Sequence, residues 1–116
     1  MKTSELTGAA LDWAVAKCEG HRVFVKHAPV QVMYTPKGKR SWYVYTPSTN
    51  WSQGGPIIER EKIRLDTTWN QEDGQWSARM DTVGGWWPGD TPLIAACRCY
   101  VASKLGDNID IPEELT

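Results

Sequence analysis

Two helical segments, one near each end of the chain, bracket a middle that is mostly extended, and this pattern limits the fold most. The first segment spans residues 7–19 and the second spans Pro92–Leu105. The predicted end signals are Thr7 and Gly20 for the first segment, and Asp90 or Thr91 with Gly106 for the second. Apolar residues recur in both segments at the spacing of one helix face. The positions predicted to be buried are Leu11, Ala14, Val15 and Cys18, and then Ile94, Cys97, Val101 and Leu105.

The residues between the helices carry the β-branched and aromatic bias of strands, interrupted by turn-forming residues. The predicted strands are Val23–Val25, Val30–Tyr34, Ser41–Tyr45, Ile63–Leu65 and Gln75–Met80. Pro56 to about Glu61 is predicted as a short helix, because proline is favoured at the first helical position. Gly84–Gly89 is predicted as a loop, and the tail after Gly106 as irregular. We therefore predict a single α+β domain over residues 1–116, in which a small antiparallel sheet packs against two main helices and one short helix.

The run from Asn50 to Arg60 is the strongest candidate binding element in the sequence. It places a tryptophan, short polar side chains and two glycines directly ahead of a proline. Glycines let the backbone approach another molecule closely, and the N–H groups at a helix start attract anions. An arginine about one turn later has a guanidinium that matches a phosphate. The predicted ligand-binding residues are Trp51, Ser52, Gln53, Gly54, Gly55 and Arg60. An ordinary loop-to-helix transition is the alternative explanation.

Catalytic and metal-binding patterns are missing from the sequence. It contains no HExxH, GxSxG or paired CxxC motif, and its two histidines, His21 and His27, flank a strand instead of sharing a helix face. Cys97 and Cys99 are separated by one residue, which implies neither a disulfide nor a zinc site. Free thiols are typical of a reducing compartment. We therefore predict a non-catalytic protein with no catalytic residue, no metal and no cofactor.

The charge balance restricts the class of partner. Thirteen Lys and Arg residues stand against fourteen Asp and Glu residues, a net charge of −1. This balance argues against a protein whose main task is to coat nucleic acid, although a local basic cluster at Lys37, Lys39 and Arg40 leaves such contact open. No apolar run approaches the ~18 residues that span a bilayer, so no membrane partner is expected.

Seven tryptophans beside one phenylalanine are unusual in a chain of this length. Three of them lie in predicted helices or strands and are predicted to fill the core: Trp13, Trp42 and Trp76. Trp51, Trp86 and Trp87 lie in segments rich in glycine and proline. For these three, stacking on a bound partner and packing within a loop are equally good explanations.

Three blocks of sequence are similar to one known family. The blocks are Glu5–Ala16, Trp51–Glu59 and Thr91–Gly106. Together they resemble the NinX-like family of small proteins from lambdoid phages and prophages. The resemblance implies a phage protein that works in the host cytoplasm, and it brings no family catalytic residues with it.

Three functions are consistent with these observations. We favour a binder of a small nucleotide-like ligand that sequesters a host immune signal, and by analogy with other small phage proteins of that kind we expect a homo-oligomer. The second is an accessory single-stranded-DNA-binding protein of phage recombination or replication, which would use Lys37, Lys39, Arg40 and Arg64. The third is an inhibitor that docks on a host protein through Trp86 and Trp87.

Overall fold

A computed structural model describes residues 1–24, 30–34, 41–67 and 75–115. In these ranges the helices are α1 (Gly8–Cys18), α2 (Trp51–Glu61) and α3 (Pro92–Leu105). The strands are β1 (Arg22–Phe24), β2 (Gln31–Tyr34), β3 (Ser41–Val44), β4 (Arg64–Thr67), β5 (Trp76–Met80) and β6 (Val83–Gly89). Short 3-10 turns cover Thr3–Glu5 and Glu113–Leu115. The predicted α+β class is confirmed.

The strands form two separate antiparallel sheets, each with three strands in chain order. In the first sheet Val32 of β2 lies opposite Tyr43 of β3. In the second, Ala78 of β5 lies between Leu65 of β4 and Trp87 of β6.

The prediction of a loop at Gly84–Gly89 is wrong, because these residues form most of β6. β6 lies at the edge of its sheet, where a strand tolerates proline because only one side needs to donate to a neighbour. Pro88 lies opposite Ser77 of β5. The strand was not predicted, because its glycines and proline are typical of loops and it has few of the β-branched residues on which strand prediction depends.

Helix α3 is central, since it contacts both other helices and all three strands of the second sheet. Its buried residues are Leu93, Ala95, Ala96, Cys97, Cys99, Tyr100 and Val101. The predicted single buried face is therefore partly wrong: Ile94 is half-buried and Leu105 is 43% exposed. A helix packed on several sides loses the one-sided apolar stripe on which the prediction depended.

The end signals of α3 act as predicted. The Thr91 hydroxyl accepts a hydrogen bond from the Ile94 N–H at 3.1 Å, and Gly106 follows with φ at +85°. Thr7 stands at the capping position of α1 but makes no side-chain cap bond. Of the tryptophans predicted to fill the core, Trp13 and Trp76 are half-buried and pack against it, whereas the Trp42 side chain lies outside the described part.

The two ends of the chain are joined to each other, which matters for the site described below. The terminal ammonium of Met1 donates to the Ile109 carbonyl at 2.9 Å, and the Thr3 N–H donates to the Asp107 carbonyl at 2.8 Å. Lys2 and Asn108 form an antiparallel bridge between them. In the described ranges, no helix has both the length and the apolar character that crossing a bilayer requires.

Candidate functional site

The segment predicted to precede a helix is itself the first half of α2. This helix begins at Trp51, five residues before Pro56, so the prediction that Pro56 opens it is wrong. Asn50 is the cap, because its Oδ1 accepts from the Ser52 N–H at 2.9 Å and from the Ser52 hydroxyl at 2.7 Å. Pro56 cannot donate to the Ser52 carbonyl, but Ser52 is exposed and water can take the missing place.

The two glycines lie inside α2, and neither adopts a positive φ. A Cβ on Gly54 would clash with the Pro47 carbonyl oxygen and would lie 2.6 Å from Cδ2 of Leu93. Gly54 therefore allows α2 to pack closely against the preceding turn and α3. A Cβ on Gly55 would meet only Cε3 of Trp51, at 3.8 Å. The close approach that Gly54 permits is thus between parts of the same chain.

The polar groups predicted to hold a ligand are bonded to the protein itself. The Gln53 side chain accepts from the Thr46 N–H at 2.7 Å and donates to the Val44 carbonyl at 2.9 Å. The N–H groups of Gln53 and Gly54 both donate to the Asn50 carbonyl, at 3.1 and 2.8 Å. The two bonds of the Gln53 side chain fasten the start of α2 to the end of β3 and the residues that follow it.

Arg60 is bonded in a network that joins α2 and α3 to Glu19, the residue that follows α1. Its guanidinium forms a two-pronged pair with Glu19, at 3.0 and 2.7 Å, and its Nε donates to Glu61 at 2.8 Å. The Tyr100 hydroxyl also donates to Glu19, at 2.6 Å. Burial raises the pKa of Glu19, but the hydrogen bonds from Arg60 and Tyr100 outweigh it and leave that pKa below its ordinary value. The predicted phosphate-binding arginine thus already has anionic partners.

Trp51 is a predicted site residue that faces solvent, with 55% of its surface exposed. It borders a pocket of about 200 Å³ together with Ser48, Thr49 and the first residues of α3. The pocket is small, since sites for drug-sized ligands usually measure about 300–1,000 Å³. It therefore accommodates at most a small group.

A larger concavity, here called the Trp86 groove, lies beside the edge strand β6. It is an open groove of about 600 Å³. One wall is formed by Gly84, Trp86, Trp87 and Pro88 of β6, and the other by Lys2, Ser4, Asp107 and Asn108. Trp86 is 47% exposed, while Trp87 is half-buried against the core. The groove thus combines an indole available for stacking with an ammonium, a hydroxyl and an amide.

Arg98 connects the two segments that form the walls of the Trp86 groove. Its Nε donates to the Leu6 carbonyl at 2.8 Å, and its Nη1 donates to the Pro88 carbonyl at 2.9 Å. One side chain of α3 thereby ties the N-terminal segment to β6. The groove lies between two parts of the chain that α3 holds in place, so it exists before any ligand binds.

The three cysteines of the chain are free thiols. Burial raises the pKa of Cys18 and Cys97 to about 12 and that of Cys99 to about 11, which keeps all three thiols protonated and weakly nucleophilic. Within the same ranges no three His, Cys, Asp or Glu side chains gather in a way that could hold a metal ion.

The comparisons with known proteins identify the family. The model of the family described as Bacteriophage P22, NinX matches residues 2–104. The chain belongs to this family. A search of curated proteins found no match. The match covers α1, α2, all of α3 except Leu105, and most of the Trp86 groove, although Asp107 and Asn108 lie beyond it.

The sequence pointed to two residues of the groove, Trp86 and Trp87, but placed them in a loop. It gave no signal for the opposite wall, because Lys2, Ser4, Asp107 and Asn108 reach the groove only through the pairing of the two chain ends. Lys37, Lys39 and Arg40, proposed for nucleic-acid contact, lie outside the described residues.

Proposed function

We propose that this NinX-family protein is a non-catalytic binder of a small nucleotide-like ligand, and that the ligand occupies the Trp86 groove. The observation that carries the proposal is the half-exposed indole of Trp86 inside a groove of about 600 Å³. Stacking of a nucleobase on an aromatic side chain contributes about 1–3 kcal/mol. Lys2, Ser4 and Asn108 supply the polar groups that would orient the rest of the ligand.

The groove suits this ligand better than the pocket at Trp51 does. Its volume falls within the usual range for small-molecule sites, whereas the Trp51 pocket is about a third as large. The side chains of Gln53 and Asn50, which lie near Trp51 in the chain, are bonded within the protein. Of the six predicted residues, Trp51 and Arg60 combine exposure with a place in a pocket wall, but the Arg60 guanidinium is already bonded to Glu19 and Glu61.

The proposed role is sequestration in the host cytoplasm. Among the described residues, Asp107 is the one carboxylate in the wall of the groove, and no cysteine or histidine lines it. This donor set supports binding without turnover. A phage protein that holds a host nucleotide-derived immune signal would remove the signal stoichiometrically, and we propose that it does so as a homo-oligomer.

Isothermal titration calorimetry tests the proposal. The wild-type protein is titrated with the ribonucleosides, their 5′-monophosphates, cyclic dinucleotides and ADP-ribose, and we expect saturable heat with at least one of them. Absence of heat with every compound would refute the proposal.

Gly84→Gln provides a variant that fills the groove without disturbing the fold. A Cβ at Gly84 meets no atom within 4 Å, and its φ is not positive. We expect this variant to bind the active compound at least about tenfold more weakly while melting at the wild-type temperature. The matched control is Val44→Gln on the exposed face of β3, which should bind normally.

Docking on a host protein is the second candidate, favoured by the exposed indole on an edge strand. Affinity capture from host lysate distinguishes the two functions. Docking is favoured if the wild-type chain binds no nucleotide but retains a host protein in stoichiometric amount, and if Gly84→Gln loses that host protein.

A further inference from the structure

The outer face of the second sheet carries two arginines directly opposite each other. Arg64 of β4 and Arg79 of β5 are Cα partners in the antiparallel register, so their side chains leave the same face of the sheet. Both residues are exposed. Like charges in directly opposed positions repel each other and destabilise a sheet. An anion bound between two such guanidiniums would turn this repulsion into attraction.

The existing partners of the two arginines are weak. Arg64 approaches Asp81 at 3.2 Å, but the two side chains are 61% and 78% exposed, and a pair so open to water contributes little. Arg79 forms no ion pair in the described part of the chain. Asp66 is exposed on the same outer face, and its Oδ1 accepts from the Thr67 N–H at 2.8 Å. Arg60 differs from both of these arginines, because its guanidinium is bonded to two glutamates.

The arginine pair is connected to the Trp86 groove through Trp86 itself. The Arg79 guanidinium carbon lies 6.0 Å from the centre of the Trp86 ring, within the range of a cation–π contact. The same indole forms part of the groove wall. Arg79 and the groove therefore share the Trp86 side chain, although neither arginine of the pair lines the groove itself.

We infer that Arg64 and Arg79 form a phosphate subsite of the Trp86 groove, so that the ligand carries at least one phosphate group. This inference rests on the proposed function and deepens it. Guanidinium groups donate two parallel hydrogen bonds to phosphate oxygens, and two opposed guanidiniums can hold one phosphate from both sides. The role first assigned to Arg60 thus passes to this pair.

The subsite is tested without a nucleobase by using inorganic pyrophosphate as the probe. In ¹H–¹⁵N spectra of the arginine side chains, we expect the Nε–Hε signals of Arg64 and Arg79 to shift saturably. The signal of Arg22, an exposed arginine on β1, should stay in place. Equal shifts at all three arginines, or no shift at the pair, would overturn the inference.

The nucleotide arm separates failure of the inference from failure of the proposed function. We expect a 5′-monophosphate to bind about tenfold more tightly than its nucleoside, and Arg64→Gln or Arg79→Gln to remove that advantage. Arg22→Gln, which changes the net charge equally, should preserve it. Equal affinity for nucleoside and monophosphate would refute the phosphate subsite and leave the groove proposal standing. A response of the arginine pair to pyrophosphate, without binding of any nucleoside or nucleotide, would refute the groove proposal and leave the phosphate site standing.

Discussion

The adjacent glycines of α2 give a sharp test of the packing, because the same substitution should have opposite effects at the two positions. Gly54→Ala places a methyl group against the Pro47 carbonyl oxygen and 2.6 Å from Leu93 Cδ2. Overpacking of this kind costs about 1–3 kcal/mol, against a helical gain of about 0.5–1 kcal/mol for alanine over glycine. We expect Gly54→Ala to lower the free energy of unfolding by about 1–2 kcal/mol.

Gly55→Ala keeps the helical gain without the clash, since its nearest neighbour would be Trp51 Cε3 at 3.8 Å. We expect it to raise the free energy of unfolding by about 0.5–1 kcal/mol. Urea denaturation of the two variants and wild type measures both changes in the free energy of unfolding. In thermal unfolding, the melting temperatures of the two variants should differ by roughly 10 °C. A Gly54→Ala protein as stable as Gly55→Ala would show that α2 does not pack on α3 as described.

Three further predictions concern stability. Glu19→Gln should be less stable than wild type at neutral pH, and the difference in the free energy of unfolding should shrink as pH falls through the lowered pKa of Glu19, because that carboxylate stabilises the fold only while it is ionised. Unfolding measured from pH 7 downward checks this, and a difference that stays constant would contradict it. Lys62→Gly should stabilise by about 0.5–1 kcal/mol in thermal melts, because Lys62 ends α2 with φ at +54°; a loss of stability would show that its side chain matters more than its backbone. Arg98→Ala should destabilise by about 2 kcal/mol in urea, because it removes the bonds to the Leu6 and Pro88 carbonyls, and an unchanged midpoint would argue against that clamp.

The parts of the fold that local chemistry determines were predictable. The bounds of α3 follow from Thr91, Pro92 and Gly106, and the structure has the same bounds. The sequence prediction begins this helix at Pro56, because proline is favoured at the first helical position, whereas α2 begins at Trp51 and is capped by Asn50. The division of the strands into two sheets depends on tertiary packing, which local patterns do not determine.

The site was less predictable than the fold. The sequence left exposure and packing of Trp51 equally open, and the bonds that occupy Gln53 and Arg60 come from residues elsewhere in the chain, such as Glu19. The Trp86 groove depends on the meeting of the two chain ends, through Lys2 and Asn108. Neither feature leaves a pattern in the sequence.

Calorimetry of two variants, Trp86→Ala and Trp51→Ala, tests the location of the site most directly. Each variant and wild type are titrated with the same set of nucleosides and 5′-monophosphates. Loss of the stacking surface should weaken binding at least about tenfold in Trp86→Ala, while Trp51→Ala should bind as wild type does. Wild-type affinity in Trp86→Ala, or loss of binding in Trp51→Ala alone, would contradict the assignment of the ligand to the Trp86 groove.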